Sequence, residues 1–184
     1  MNEDGQTSAI ALATSSPVLR GQHVVLRPIR VEDRLRLRSI LAEPNVAEWW
    51  TPGSPDHAVD EWLEPTADSA TIVVELGGVV IGSIQYTEEP GADYRHAGID
   101  VFLDTAHHGQ GLGSDAVRTM ARYLIEVRGH HRLTIDPAAA NERAIRAYRR
   151  VGFRPVGVMR NYERGADGTW HDNLLLDLLA GDLT

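Results

Sequence analysis

The first half of the chain alternates apolar and polar positions in ways that predict strands and helices in a definite order. Val24, Val25 and Leu26 form a short β-branched and apolar run that Pro28 ends. Two longer runs are separated by Gly77-Gly78, a pattern typical of an antiparallel hairpin. The predicted elements are a strand at 23–27, helices at 31–42 and 57–63, and hairpin strands at 71–76 and 79–86.

The second half continues with alternating strands and helices and closes on another hairpin. Ala116, Met120 and Leu124 recur every four residues and indicate a helix, with Gly129 just past its end. The predicted elements are a strand at 97–103, a helix at 114–127, a strand at 133–135, a helix at 141–151, and hairpin strands at 156–164 and 170–179. This order predicts an α/β (α+β) fold with a mixed sheet, not a doubly wound nucleotide fold.

The length of 184 residues suits one domain, which we expect at 18–184 after a flexible tail at 1–17. The apolar patch at 9–13 follows Glu3 and Asp4 and has no basic segment before it, so a signal peptide is not expected. Apolar runs are too short to span a membrane. We therefore expect a cytoplasmic protein, monomeric or homodimeric, that does not engage a membrane.

Charge and composition exclude several classes of function. Arginine and lysine number 18 and acidic residues 26, for a net charge of −8, which disfavours nucleic acid and favours a cationic partner. All the basic residues are arginine, which excludes lysine Schiff-base chemistry and the lysine of a nucleotide P-loop. The absence of cysteine excludes disulfides and cysteinyl intermediates, and no histidine–carboxylate cluster has metal-ligand spacing, so no metal is expected.

A glycine-rich segment joins a predicted strand to a predicted helix. Gly109, Gly111 and Gly113 allow successive backbone N–H groups to point into one concavity, and the helix adds its unpaired N–H groups. Such a loop can hold a pyrophosphate without lysine. The alternative is a glycine-rich turn that binds nothing.

Two segments of the chain together resemble the GCN5-related N-acetyltransferases. The segment 108–113 resembles the family's phosphate-binding motif, [Gln/Arg]-x-x-Gly-x-[Gly/Ala], with His108 in place of the usual glutamine or arginine. The segment 141–153 resembles the family's next conserved helix, and the likeness extends from about Arg20 to the C-terminus. This resemblance implies acetyl transfer from acetyl-CoA to an amine.

The resemblance also implies roles for individual residues. Tyr148 is expected to protonate the leaving thiolate, Asn141 to bind the pantetheine arm, and the backbone N–H groups of Phe102 and Leu103 to polarise the thioester carbonyl. Tyr148 has the alternative of a core aromatic on an apolar helix face. The expected acetyl-CoA-binding residues are Phe102, Leu103, His108, Gly109, Gln110, Gly111, Leu112, Gly113, Ser114, Asn141, Ala144 and Tyr148.

The acceptor is expected to be a cationic amine. Asp100 interrupts an apolar strand and Asp136 ends the next one, and two such carboxylates are costly to bury unless they bind a cation. Asp136 could instead cap the turn before Pro137, and strand alternation could point Asp100 at solvent. The segments around both aspartates, and Glu48-Trp49-Trp50, resemble aminoglycoside 6′-N-acetyltransferases. In that group the aspartate matching Asp100 lies beside the acetylated amine.

Further substrate contacts are expected at the rim of the site. Trp49 or Trp50 could stack on a sugar ring, with one indole in the core as the alternative, and Asp93 and Asp172 would add acidic character. An N-terminal acetyltransferase of the ribosomal-protein type stays open, because the opening 19–33 resembles that group. A siderophore or polyamine acyltransferase and a CoA-binding sensor without turnover also stay open.

Overall fold

A mixed sheet of eight strands runs through the described part of the chain, residues 17–50, 55–165 and 167–184 of a computed structural model. The predicted tail, apart from Pro17, and the loop at 51–54 lie outside the described residues. In chain order the strands are β1 (Leu19–Arg20), β2 (Val25–Pro28), β3 (Ser69–Leu76), β4 (Val79–Glu89), β5 (His96–Leu103), β6 (Arg132–Ile135), β7 (Arg154–Arg164) and β8 (Trp170–Leu179). Their spatial order is β1-β2-β3-β4-β5-β6-β8-β7.

The helices agree with the predicted ones in number and place, with one addition. They are α1 (Arg34–Leu41), α2 (Pro44–Ala47), α3 (Pro55–Trp62), α4 (Leu112–Glu126) and α5 (Glu142–Arg149). The short α2 was not predicted, because Pro44 reads as a helix stop although it occupies the first turn here. Helix α4 begins two residues earlier than predicted. Among the described helices, none combines the length and hydropathy needed to cross a membrane.

The predicted Gly77-Gly78 hairpin is confirmed. Both glycines have left-handed backbone angles, φ +58° and +84°, as a tight hairpin turn requires. Helix α4 packs on the sheet through Ala116, Met120 and Leu124, which have no exposed surface. These contacts fix the start of α4 relative to the strand before it.

Strands β5 and β6 run side by side for two residue pairs and then part. They are parallel and pair only at Ala97 with Leu133 and at Gly98 with Thr134. Beyond these pairs β5 stays with β4, whereas the whole of β6 pairs with β8. The carboxyl ends of two neighbouring parallel strands thus diverge, and an open cleft lies between them.

The end of β5 is held in place by its close approach to β4. A Cβ atom added at Gly82 would lie 2.1 Å from the Phe102 carbonyl oxygen, so a larger residue would push the two strands apart. Glycine at this position therefore fixes the backbone of Phe102 and Leu103, which forms one wall of the cleft.

A buried carboxylate joins α4 to the turn between β1 and β2. Asp115, in the first turn of α4, accepts hydrogen bonds from the backbone N–H groups of Gln22, His23 and Val24 at 2.9, 2.7 and 3.0 Å. Burial alone would raise the pKa of Asp115, but these hydrogen bonds hold it below its ordinary value.

We expect Asp115→Asn to lower the free energy of unfolding at neutral pH by about 2 kcal/mol, because an amide cannot accept all three hydrogen bonds. A lowered pKa stabilises the folded state above the ordinary aspartate pKa of ~3.9, and this stabilisation is lost as the pH falls through the folded value. Urea unfolding should therefore show a gap between the two proteins that narrows in acid. Equal stability at neutral pH would contradict this account.

Candidate active site

The parting of β5 and β6 opens a cleft of about 1040 Å³. Its walls come from the carboxyl ends of β5 and β6, the glycine loop before α4, one face of α5 and the hairpin of β7 and β8. Three arginines line it from α5 and the residue after it, Arg143, Arg146 and Arg150. The carboxylates of Asp100, Asp136 and Glu163, which we call the acidic end, also line it, so the cleft carries charge of both signs.

The glycine loop has the geometry of an anion site. Gly109 and Gly111 have φ of +75° and +81°, and a Cβ atom added at either would meet no heavy atom within 4 Å. Both glycines, with Gly113 and Ser114, line the cleft at the N-terminus of α4. The first backbone N–H groups of that helix have no carbonyl partner within it, so an anionic group fits here.

Two residues expected at this site turn their side chains away from the cleft. Gln110 donates its side-chain amide to the carbonyl of Ala106 at 2.8 Å. Leu112 is buried in the main core. Any contact of these residues with a ligand is therefore through the backbone, which is how the loop was expected to act.

His108 connects the glycine loop to α5. Its Nε2 lies 2.8 Å from the Leu103 carbonyl oxygen, and its Nδ1 lies 2.9 Å from an Arg143 nitrogen. A carbonyl only accepts and a guanidinium only donates, so the ring carries its proton on Nε2 and is neutral in this arrangement. The substitution of histidine for the family's glutamine or arginine thus holds the charge of Arg143 at the cleft.

Asn141 begins α5. Its Oδ1 accepts from the Ala144 backbone N–H at 3.1 Å, so the side-chain oxygen caps the helix and the amide nitrogen is left for a ligand. Ala144 itself lines the cleft.

The position of Tyr148 is compatible with both of its alternatives, the acid and the core aromatic. Its ring packs beside Phe153 with centroids 6.3 Å apart, and the side chain also lines the cleft. Burial raises the pKa of the Tyr148 phenol, and the nearby Asp100 and Asp136 raise it further. The phenol therefore keeps its proton at neutral pH and is available as an acid.

Asp100 and Asp136 lie together at the acidic end. Asp100 lines the cleft, and its residue surface there is open to solvent between the cleft walls. Burial raises its pKa to about 6, with added repulsion from Asp136 and Glu163. Burial also raises the pKa of Asp136, with added repulsion from Glu163. In the part of the chain that the structure describes, the Asp100 carboxylate has no hydrogen bond or ion pair.

Five residues of the closing hairpin that line the cleft were not predicted, namely Tyr162, Glu163, Arg164, Trp170 and Asn173. Asn173 is buried, and its side-chain nitrogen donates to the Asp136 carbonyl at 2.8 Å and to Glu163 Oε2 at 3.2 Å. One signal was available in the sequence, namely Glu163 inside the first strand of a predicted hairpin. Periodicity alone could not show that this hairpin bends over the cleft.

The two aspartates expected at the rim do not line the cleft. Asp93 is exposed in the turn before β5. The Oδ1 of Asp172 accepts the backbone N–H of Asn161 at 2.8 Å. Their direct contact with the acceptor stays a prediction that this geometry does not support.

Both indoles of the Trp49-Trp50 pair line the cleft. Trp50 also packs against Phe102 and Trp62, with ring centroids 4.9 and 6.3 Å away, so it is partly a core residue. Trp49 is half-buried and makes no ring contact with another described aromatic residue. Within the described ranges, no three histidine or acidic side chains are grouped closely enough to hold a metal ion.

The chain belongs to the GNAT acetyltransferases, because the model of the acetyltransferase (GNAT) domain matches residues 23–154. It is therefore an acyltransferase. Enzymes of this family use acetyl-CoA as the acetyl donor.

Curated relatives match at modest identity. The chain is 30% identical over 155 residues to an aminoglycoside N(6′)-acetyltransferase type 1 of Klebsiella pneumoniae, covering 74% of this chain and 76% of that one. It is 28% identical over 103 residues to the probable N-acetyltransferase YjcK of Bacillus subtilis (strain 168), and this match spans 56% of either chain, little more than half.

Solved structures share the fold. Mycobacterium smegmatis RimJ in complex with CoA-disulfide has a TM-score of 0.79 at 24% identity, covering 93% of this chain and 90% of that one. The ribosomal-protein-S5-alanine acetyltransferase of Vibrio fischeri has a TM-score of 0.76 at 18% identity, covering 92% and 100%. At these identities the likeness is one of fold.

We expect the Asp100 carboxyl to titrate near pH 6 in the free protein, since burial and neighbouring carboxylates disfavour its charge. Asp136→Asn removes one of those charges and should lower the Asp100 pKa. Carbon NMR of protein with labelled aspartate measures both values. An Asp100 pKa near the ordinary value of ~3.9, or one that does not change in Asp136→Asn, would contradict this electrostatic account.

Proposed function

We propose that this protein transfers the acetyl group of acetyl-CoA to a primary amine of a small polycationic acceptor, such as the 6′-amine of an aminoglycoside. One observation carries the proposal: the glycine loop and an unneutralised pair of carboxylates, Asp100 and Asp136, line the same cleft. An anionic donor and a cationic acceptor can therefore meet in one cavity.

The donor end would hold acetyl-CoA, whose thioester supplies the acetyl group. Backbone N–H groups of 109–114 would bind the pyrophosphate, with Arg143 contributing a positive charge beside them. The free amide nitrogen of Asn141 would bind the pantetheine arm, since its oxygen caps α5.

At the reacting end, the chain offers a base, an acid and backbone donors. Asp100 would orient the ammonium group, and its pKa of about 6 brings it closer to an effective base than an ordinary aspartate. A bound cation would lower the pKa of Asp100, so the proton of the acceptor's ammonium group would leave through water. The Tyr148 phenol would protonate the thiolate. Phe102 and Leu103 no longer pair with β6. Whichever of the two has its backbone N–H directed away from β4 would therefore present that N–H to the cleft.

Two observations bear on the choice of acceptor. The Klebsiella and Serratia marcescens relatives are aminoglycoside enzymes, and the two aspartates expected from that resemblance lie together in the cleft. The resemblance of 19–33 to N-terminal acetyltransferases discriminates less, because Arg27 and Asp33 form a buried ion pair at 2.7 Å that serves the fold.

N-terminal acetylation of a protein remains the second candidate, favoured by the fold likeness to RimJ and to the S5-alanine acetyltransferase. A CoA-binding sensor is a weaker candidate, because Tyr148 and Asn141 both line the cleft. Release of free CoA in the presence of an amine distinguishes an enzyme from a sensor.

The acceptor class is tested by a panel of kanamycin, tobramycin, polyamines and N-terminal peptides, with released CoA as the readout. We expect acetylation of the aminoglycosides, and protection from kanamycin of bacteria that express the protein. Asp100→Asn should abolish both without weakening acetyl-CoA binding, since it removes only the charge that orients the amine. Acetylation of peptide N-termini with aminoglycosides untouched would establish the second candidate instead.

We expect Tyr148→Phe to lower kcat roughly 10²-fold, as loss of a general acid typically does. The binding of acetyl-CoA, measured by calorimetry, should be unchanged because the ring still packs beside Phe153. A kcat close to that of the wild type, with chemistry shown to be rate-limiting, would leave Tyr148 as a packing residue.

A further inference from the structure

Strand β7 contains a bulge directly beside the acidic end of the cleft. Met159 pairs with Asn173 and Glu163 with His171, so three residues of β7 (160–162) face a single residue, Asp172, on β8. Asn161, in the bulge, has a left-handed backbone with φ +50°. Asparagine tolerates this conformation better than most residues.

The bulge changes which side chains reach the cleft. Neighbouring residues of a regular strand point to opposite faces of the sheet. Here the consecutive residues Tyr162, Glu163 and Arg164 all line the cleft. The bend in β7 therefore places Glu163 on the same cavity as Asp100 and Asp136.

Asp172 holds the bulge from the neighbouring strand. Its Oδ1 accepts the Asn161 backbone N–H at 2.8 Å, and its carbonyl accepts the Ala139 backbone N–H at 2.8 Å. One residue thus ties the bulge of β7 to the segment that follows Asp136.

Glu163 is available to a ligand. Its Oε2 accepts from Asn173, whereas among the described residues no cation pairs with its carboxylate. Its charge contributes to the raised pKa values of both Asp100 and Asp136, so it lies near both. A positive charge placed among Asp100, Asp136 and Glu163 would be attracted to all three carboxylates.

We propose that Glu163 is a third acceptor-binding carboxylate, which makes the enzyme select amines that carry a second positive charge, and that Asp172 positions it through the bulge. This inference rests on the proposed function, because it concerns the acceptor end of the same cleft. One amine is oriented by Asp100 for reaction, and a second ammonium group of the same molecule is bound at Glu163.

The first test compares Glu163→Gln with the wild type. The KM for kanamycin should rise about 10-fold, the loss typical of a charged hydrogen bond, with kcat changed less than about 2-fold. Glu126→Gln on the surface of α4 is the matched control, since it removes the same charge outside the cleft and should leave KM unchanged.

A pair of small acceptors isolates the charge requirement. 1,5-Diaminopentane and 5-aminopentanol have similar length but differ by one ammonium group, and each is measured as an acceptor or as a competitive inhibitor. The wild type should prefer the diamine, and Glu163→Gln should reduce that preference about 10-fold. An unchanged preference, or equal losses for both amines, would overturn the proposal.

The positioning role is tested at Asp172. Asp172→Ala removes the acceptor for Asn161 and should reproduce the kanamycin KM and the reduced diamine preference of Glu163→Gln. Asp172→Asn keeps an oxygen at Oδ1 and should restore wild-type selectivity. If Asp172→Ala binds acetyl-CoA normally but keeps full diamine preference, Asp172 does not position Glu163.

The outcomes also separate this inference from the proposed function. A wild type that acetylates only peptide N-termini contradicts the proposed acceptor, whatever Glu163 does. A wild type that acetylates kanamycin with selectivity insensitive to Glu163→Gln leaves the proposed function intact and removes only the role of Glu163.

Discussion

The site depends on one constraint of the sheet, which is that β5 and β6 can pair for only two residues before they part. Strand β6 is fully paired with β8, and β5 is held against β4 by the close approach at Gly82. Neither strand can turn back to close the gap. The part of β5 that does not pair with β6 therefore opens the cleft. It also forms one wall of the cleft, where its backbone groups do not pair with β6.

Groups of both charge signs line the cleft. The N-terminus of α4, with Arg143 beside it, suits an anion, whereas the carboxylates of Asp100, Asp136 and Glu163 suit a cation. His108 joins these features to the fold, because it links the end of β5 to Arg143. With an overall charge of −8, long-range attraction also favours a cationic acceptor.

Local patterns in the sequence predict most of the fold. The Gly77-Gly78 hairpin and the helices behind the glycine loop and after β6 follow from short-range spacing, whereas the roles expected of Asn141 and Tyr148 come from the resemblance to the family. The acceptor end is harder to predict, because it is assembled from distant strands. Asp172 is an example, since only the register of β7 against β8 shows that its carboxylate is used by Asn161. Glu163 was missed for the same reason, because a bulge broke the alternation on which the prediction of faces relies.

In the proposed function, donor and acceptor bind together in the cleft formed where β5 and β6 part. The most direct measurement is a crystal structure of the protein with CoA and kanamycin bound together. We predict the CoA pyrophosphate on the backbone N–H groups of 109–114 and an ammonium group of kanamycin within hydrogen-bond distance of Asp100. A pyrophosphate bound away from the glycine loop, or kanamycin bound outside the cleft, would contradict the account.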